Sequence, residues 1–184
     1  MRIIGGELKG RIIKSPQRGQ GYVRPVQDKI KGAIFNILQD KVVGANVLDL
    51  FAGSGAFGFE SLSRGAQQVL FVESDWKLVH LLEENLRLLG LEERGLVLHD
   101  NVMDVIEDLG ITEKMFDLIF SDPPYGQGLA KLSLLRAVEC AIVSESGFLV
   151  TESHKKEELP EVIGNLVLWK RRLYGGTAVS FYRR

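Results

Sequence analysis

Past Ala45 the chain alternates between short, nearly continuous apolar runs and longer stretches whose apolar positions recur every three to four residues. The short runs, Asn46 to Phe51, Gln68 to Glu73, Leu96 to His99, Phe116 to Ser121 and Phe148 to Glu152, predict buried strands. The longer stretches, Gly55 to Arg64, Asp75 to Leu89, Val102 to Leu109 and Leu129 to Val143, predict helices. Asp75 suits the start of the second helix and Gly90 its stop. Strands alternating with helices predict an α/β domain around a parallel sheet with right-handed crossovers. Leu166 to Arg171 and Ala178 to Arg183, joined through Gly175-Gly176, predict a terminal antiparallel hairpin.

The N-terminal stretch has a different pattern. Met1 to Ile4 and Arg11 to Ile13 are apolar runs around Gly5-Gly6 and Gly10, which predicts a small β-hairpin. Ser15 to Gly21 has the composition of a flexible loop. Arg24-Pro25 then opens a helix, with Ile30, Ile34, Ile37 and Leu38 at helical spacing. This divides the chain into an extension over 1–40 and an α/β domain over 41–184. The length of 184 residues fits one domain with such an appendage.

Charge sharpens that division. Residues 1–31 hold eight Lys/Arg against Glu7 and Asp28, a net +6, and the rest of the chain carries −7. A basic arm on an acidic body predicts a polyanionic partner. The lone Cys140 excludes an internal disulfide framework and sits in an apolar stretch that predicts a core position. No apolar run is long enough for a bilayer and the start has no signal-peptide core, so a cytoplasmic protein with no membrane partner is expected. The three histidines and one cysteine have no metal-ligand spacing, and no metal is expected. His80, His99 and His154 are expected to be structural or solvated, and Trp76 a rim or adenine contact.

Two motifs carry chemistry. Gly53-x-Gly55-x-x-Gly58 joins the first strand to a helix. Its glycines let the backbone approach a ligand, and the helix start supplies free N–H groups. Glu73 follows twenty residues after Gly53, where a carboxylate accepts ribose hydroxyls. The same spacing serves NAD. Asp49, before the first glycine, favours S-adenosylmethionine, because a carboxylate there attracts a cationic amino-acid end and repels a pyrophosphate. Asp100 and Asn101 follow the third strand, where an adenine edge would lie.

The second motif is Asp122-Pro123-Pro124-Tyr125, directly after the strand ending at Ser121. Two prolines force a stiff loop at the carboxyl end of the sheet, where α/β ligands bind. An exocyclic base amino group is a poor nucleophile because its lone pair is delocalised into the ring. Acceptors on its two N–H bonds localise that pair, and the Asp122 carboxylate and Pro123 carbonyl suit the task. Tyr125 is placed to stack on the base.

Asp-Pro-Pro-Tyr after the fourth strand, with Asp49-x-Phe51-Ala52-Gly53-Ser54-Gly55 after the first, resembles the class I S-adenosylmethionine-dependent amino-methyltransferases. Met1-Arg2-Ile3-Ile4-Gly5-Gly6, Gly10-Arg11, Arg24-Pro25 and Phe35-Asn36-Ile37-Leu38 resemble the RsmD-like family, which methylates guanine N2 in 16S ribosomal RNA. The resemblance implies a Rossmann-like, mostly parallel seven-stranded sheet whose final hairpin contributes one antiparallel strand. It implies a cofactor site of Asp49, Phe51, Ala52, Gly53, Ser54, Gly55, Glu73, Ser74, Asp100, Asn101 and Asp122, with S-adenosylhomocysteine as product. Arg2, Arg11, Arg24, Lys29, Lys31 and Tyr125 would meet 16S RNA or an assembling small subunit, and a monomer suffices. The chain departs from the family pattern at Val26, usually threonine, and at Gly32, usually glutamate. Three rivals stand beside this reading: a DNA adenine-N6 methyltransferase, an NAD oxidoreductase and an RNA-binding module without catalysis.

Overall fold

The computed structural model describes residues 1–16 and 25–184, with the backbone alone for residues 25–28. Arg24 and the side chain of Val26 lie outside the described residues. Strands β1 (Asn46–Leu50), β2 (Gln68–Glu73), β3 (Gly95–His99), β4 (Phe116–Ser121) and β5 (Val143–His154) pair in parallel in the order β3-β2-β1-β4-β5. The chain winds outward from β1 through β2 to β3 and then returns to β4 on the other side. The reversal leaves a crevice at the carboxyl ends of β1 and β4, where such sheets bind ligands.

Among the described residues the sheet has eight strands, one more than the resemblance implied. β8 (Thr177–Arg183) runs antiparallel to β5, and β7 (Leu166–Tyr174) antiparallel to β8. The addition is β6 (Val162–Ile163), paired with the start of β7 across a turn at Gly164 (φ 52°). Two apolar residues are too few to show a period in the sequence. A second difference concerns the segment before β5. The helix predicted to reach Val143 stops at Glu139, because Ala141 takes a left-handed φ of 53° and turns the chain. β5 therefore starts five residues before Phe148, with a bulge against β4. Cys140 is half-buried at this turn rather than in the core.

Among the described residues five α-helices flank the sheet: α1 (Pro25–Leu38), α2 (Ala56–Ser63), α3 (Trp76–Leu89), α4 (Val102–Ile111) and α5 (Leu129–Glu139). Alternate strand residues feed two separate cores. Val47, Phe71, Phe120 and Val150 meet Ile34, Phe35, Phe59 and Leu82 on one face. Leu48, Val72, Ile119 and Leu149 meet Ile106, Leu134 and Ala137 on the other. Both faces are covered, which is why the strands read as continuous apolar runs. Among the described residues no helix is long and apolar enough to cross a membrane.

The N-terminal segment forms one antiparallel bridge, Arg2 with Ile12, rather than a hairpin of regular strands. It docks on the first core through Ile3 and Ile13, which are fully buried. Backbone groups fix it further. Ile4 N donates to Glu60 (2.9 Å), Leu8 N to Ser63 Oγ (2.9 Å) and Lys14 N to Asn85 Oδ1 (2.8 Å), while Asn85 Nδ2 returns a bond to Lys14 O (2.9 Å).

This docking corrects the expectation for Lys31. Its side chain is buried, with Nζ 3.3 Å from Glu60 and donating to Arg2 O at 2.9 Å. Glu60 is fully buried, and its other oxygen meets Arg64 Nε at 2.8 Å. Lys31 thus belongs to an internal charge cluster tying α1, α2 and the N-terminal segment together, and its ammonium faces no solvent. Removing one partner of a buried cluster leaves a charge uncompensated, at a cost of roughly 3–5 kcal/mol. Glu60→Ala is expected to lose stability of that order in urea unfolding, whereas Lys14→Ala, at the half-exposed pair with Glu84, should lose under about 1 kcal/mol.

Candidate active site

Four adjacent strands carry a carboxylate at their carboxyl ends. Glu73, Asp49, Asp122 and Glu152 each lie two residues after Phe71, Val47, Phe120 and Val150, which all face the first core. The strand period of two therefore turns all four toward that same face. Glu73, Asp49 and Glu152 are less than a tenth exposed.

The protein satisfies the first two with its own backbone. Glu73 Oε2 accepts from Gly53 N at 2.8 Å, and Oε1 accepts from Ser74 N (2.8 Å) and Asp75 N (2.9 Å). Three of about four acceptor positions are thereby used, leaving about one for a ribose hydroxyl rather than the two the sequence suggested. Asp49 Oδ2 accepts from Gly58 N at 2.9 Å. That N–H, in the first turn of α2, is one that a pyrophosphate would need. The bond accordingly argues against NAD at this turn.

The loop from Phe51 to Gly55 is held in a conformation few residues tolerate. Phe51 (φ 57°), Gly53 (φ 55°) and Gly55 (φ 77°) are all left-handed. A Cβ on Gly55 would lie 2.5 Å from the Phe59 ring. Phe51 has no glycine's freedom, and strain of this kind concentrates where a backbone must face a ligand. Gly58 acts differently. A Cβ there would come within 2.0 Å of the Phe71 ring, so this glycine lets α2 sit down on β2.

A cavity of about 360 Å³ opens at the switch point, lined by Phe51, Glu73, Ser74, Asn101, Asp122 and Pro124. The structure thus brings together six residues that the sequence predicted from four separate segments. Val102, Met103 and Leu129 complete the lining and were missed. The signal for the first two was position, since they open α4 directly after Asn101. Asn101 Oδ1 caps that helix by accepting from Met103 N at 2.8 Å. Asp100 is exposed and outside the lining, and its carboxylate accepts from Asn101 N (2.7 Å). Trp76 is also outside it, exposed on α3 with its edge to His80.

The Asp-Pro-Pro-Tyr loop separates this cavity from a second cleft, lined by Tyr125, Gly126, Gly128, His154, Lys156 and Glu157. Pro123 is buried and Pro124 exposed. Tyr125 is 43% exposed, with its hydroxyl 2.9 Å from Thr177 Oγ1. His154, expected in solvent, is instead partly buried with its ring 6.4 Å from that of Tyr125.

Burial raises the carboxyls of Asp49, Asp122 and Glu152. Asp49 stands well above its usual range, chiefly through burial, with Asp122 and Glu73 adding repulsion against the opposing Gly58 bond. Burial brings Asp122 to about 6. Glu152 reaches about 8 through burial and then the Asp122 charge. A row of acids raised in this way favours a ligand that brings positive charge. Among the described residues no group of three His, Cys, Asp or Glu is arranged to hold a metal ion. Arg2, Arg11 and Lys29 are exposed, as a contact with a polyanion requires.

Comparison with known proteins follows the same lines. The family model described as Conserved hypothetical protein 95 matches residues 1–183. The Escherichia coli K12 protein named Ribosomal RNA small subunit methyltransferase D is 32% identical over 184 residues, covering 100% of this chain and 90% of that protein. The solved structure of yhhF from Escherichia coli superposes with a TM-score of 0.87 at 30% identity, covering 100% of this chain and 97% of that one. The Thermus thermophilus 16S rRNA N2 G1207 methyltransferase RsmC, solved with AdoMet and guanosine, superposes at 0.70 with 25% identity, over 91% of this chain and 45% of that chain.

If Gly58 serves packing, Gly58→Ala should cost about 1–3 kcal/mol in denaturant unfolding through overpacking against Phe71. The same change at the open Gly176, where a Cβ meets nothing within 4 Å, should cost far less.

Proposed function

From the premise that this chain belongs to the family of the ribosomal RNA small subunit methyltransferase D proteins, we propose that it transfers a methyl group from S-adenosylmethionine to the N2 amino group of a guanine in 16S ribosomal RNA. One observation carries the reading. A row of buried acids at the switch point ends in the Asp-Pro-Pro-Tyr loop, with a cavity on one side of that loop and a cleft on the other. On this reading the methyl donor takes the cavity beside Asp122 and the acceptor the cleft beside Tyr125, with the loop between them.

The residues present fit S-adenosylmethionine. Phe51, Val102, Met103 and Leu129 offer apolar contact to an adenine plane, Glu73 a ribose acceptor, and Asp49 with Asp122 the negative charge for a cationic group. When bound, the cofactor supplies a methyl group already activated by its sulfonium, so positioning supplies much of the catalysis. Asp122 and the Pro123 carbonyl accept the two N–H bonds of the guanine amino group, and Tyr125 stacks on the base. A base paired in an A-form helix shows no such edge, so the target must be unpaired or flipped out.

The exposed Arg2, Arg11 and Lys29 on the extension over 1–40 are assigned to RNA phosphates, with Arg24 in the same stretch. A 16S or small-subunit substrate places the enzyme in the cytoplasm, and nothing in the site requires a second copy. The DNA adenine-N6 alternative is not supported, since the relative aligned along the whole chain is a ribosomal RNA enzyme.

The test is transfer of labelled methyl to small-subunit RNA, to small-subunit particles lacking the modification and to duplex DNA, followed by nucleoside analysis. N2-methylguanosine from either RNA sample is expected, and N6-methyladenine from DNA would overturn the assignment. Asp122→Ala should lower kcat by about 10²–10³-fold, the scale of losing one preorganised hydrogen-bonding group. Neutralising Arg11 and Lys29 together should weaken RNA binding uniformly and flatten its salt dependence by about one log unit for each phosphate left without its cation.

A further inference from the structure

Strand register sets a second carboxyl beside Asp122. β4 and β5 pair Ser121 with Thr151, so the next residues, Asp122 just past the end of β4 and Glu152 still within β5 opposite Val179 of β8, follow on neighbouring strands. Both turn toward the first core, as Phe120 and Val150 do before them. Glu152 is 6% exposed. The Tyr125 side chain hydrogen-bonds to it, and the same hydroxyl meets Thr177 of β8. The charged and titratable groups acting on Glu152 are Asp122 and Tyr125 from the loop beside β5. Asp49 and Glu73 lie farther along the row, with Asp122 acting on Asp49.

We propose that Glu152 is a positioning residue for methyl transfer, sharing one proton with Asp122 and so fixing the Asp122 carboxylate and the Tyr125 hydroxyl against the incoming amino group. This deepens the reading above and rests on it. Carboxyls on neighbouring strands, the charge of one raising the other, resist ionising together. Burial raises both carboxyls, Asp122 to about 6 and Glu152 to about 8, and the Asp122 charge adds to the rise at Glu152, so the two titrate as a pair. In the proposed pair the shared proton rests on Glu152, the carboxyl raised further. An ionised Asp122 accepts an N–H of the substrate, and the Glu152 O–H donates to the carboxylate oxygen turned away from it. As the nitrogen lone pair forms the N–C bond and the C–S pair stays on sulfur, one amino proton passes to Asp122. The pair then carries two protons and returns one to water.

The test has two arms. Carboxyl NMR titration of the free protein, labelled in Asp and Glu, is expected to show both steps in the wild type. Glu152→Gln should remove the upper step and leave the lower. Asp122→Asn should leave one Glu152 step, shifted below 8 because the neighbouring charge is gone. A Glu152 that ionises in the ordinary carboxylate range beside Asp122, or is unmoved by Asp122→Asn, overturns the proposal. In the second arm the wild-type methyl-transfer rate falls above pH about 8 as Glu152 loses its proton. Glu152→Gln keeps a neutral donor and should lack that fall, while Glu152→Ala should be slower at every pH. Identical pH profiles for wild type and Glu152→Gln would contradict the positioning role. The titration uses neither cofactor nor RNA. Two normal steps with no methyl transfer by the wild type would therefore overturn the functional reading, and the positioning role with it, while proton sharing stood.

Discussion

Four carboxyls side by side at the end of one sheet, three of them less than a tenth exposed, are the constraint from which the rest of this molecule follows. An isolated ionised carboxylate in an apolar setting costs several kcal/mol, and neighbours of like charge add to that. The fold meets the cost in two ways. At the β2 and β1 positions it bends the backbone so that N–H groups of residues 53, 58, 74 and 75 point at Glu73 and Asp49. This is why the turn after β1 needs left-handed residues and why α2 must press against β2. Protonation meets the rest, since burial raises the carboxyls of Asp49, Asp122 and Glu152.

The same economy governs the N-terminal segment. A stretch with so high a basic content would ordinarily be solvated. Here Lys31 turns inward to neutralise Glu60, and Ile3, Ile13 and Ile34 share a core with the sheet. The segment that presents Arg2 and Arg11 outward is thus anchored to the helix that follows the glycine turn. The exposed Arg2 and Arg11 and the glycine turn are thereby joined through α2.

Much of this was legible in the sequence because the strands are buried on both faces and the switch-point loops carry distinctive residues. Phe51, Glu73, Ser74, Asn101, Asp122 and Pro124 came from four separate stretches and line one cavity. The misses have physical causes. β6 is two residues long and has no period. The end of α5 and the start of β5 are both apolar, and the boundary is set by the backbone angle of Ala141 rather than by composition. Lys31 carries a charge that composition assigns to the surface and tertiary packing buries. Glu152 belongs to no motif. Its position becomes meaningful only when β4 and β5 are placed in register, since the apolar-x-acid pattern of Phe71-x-Glu73, Val47-x-Asp49 and Phe120-x-Asp122 recurs in Val150-x-Glu152.

The central claim is that one amino group is held between Asp122 and the Pro123 carbonyl, at the border of two compartments. A crystal structure of the protein with S-adenosylhomocysteine and guanosine tests it directly. The account predicts the guanine ring against Tyr125, with its N2 within hydrogen-bond reach, about 2.7–3.2 Å, of both acceptors and facing the sulfur. A guanine bound away from Tyr125, or one presenting O6 to Asp122, would contradict it.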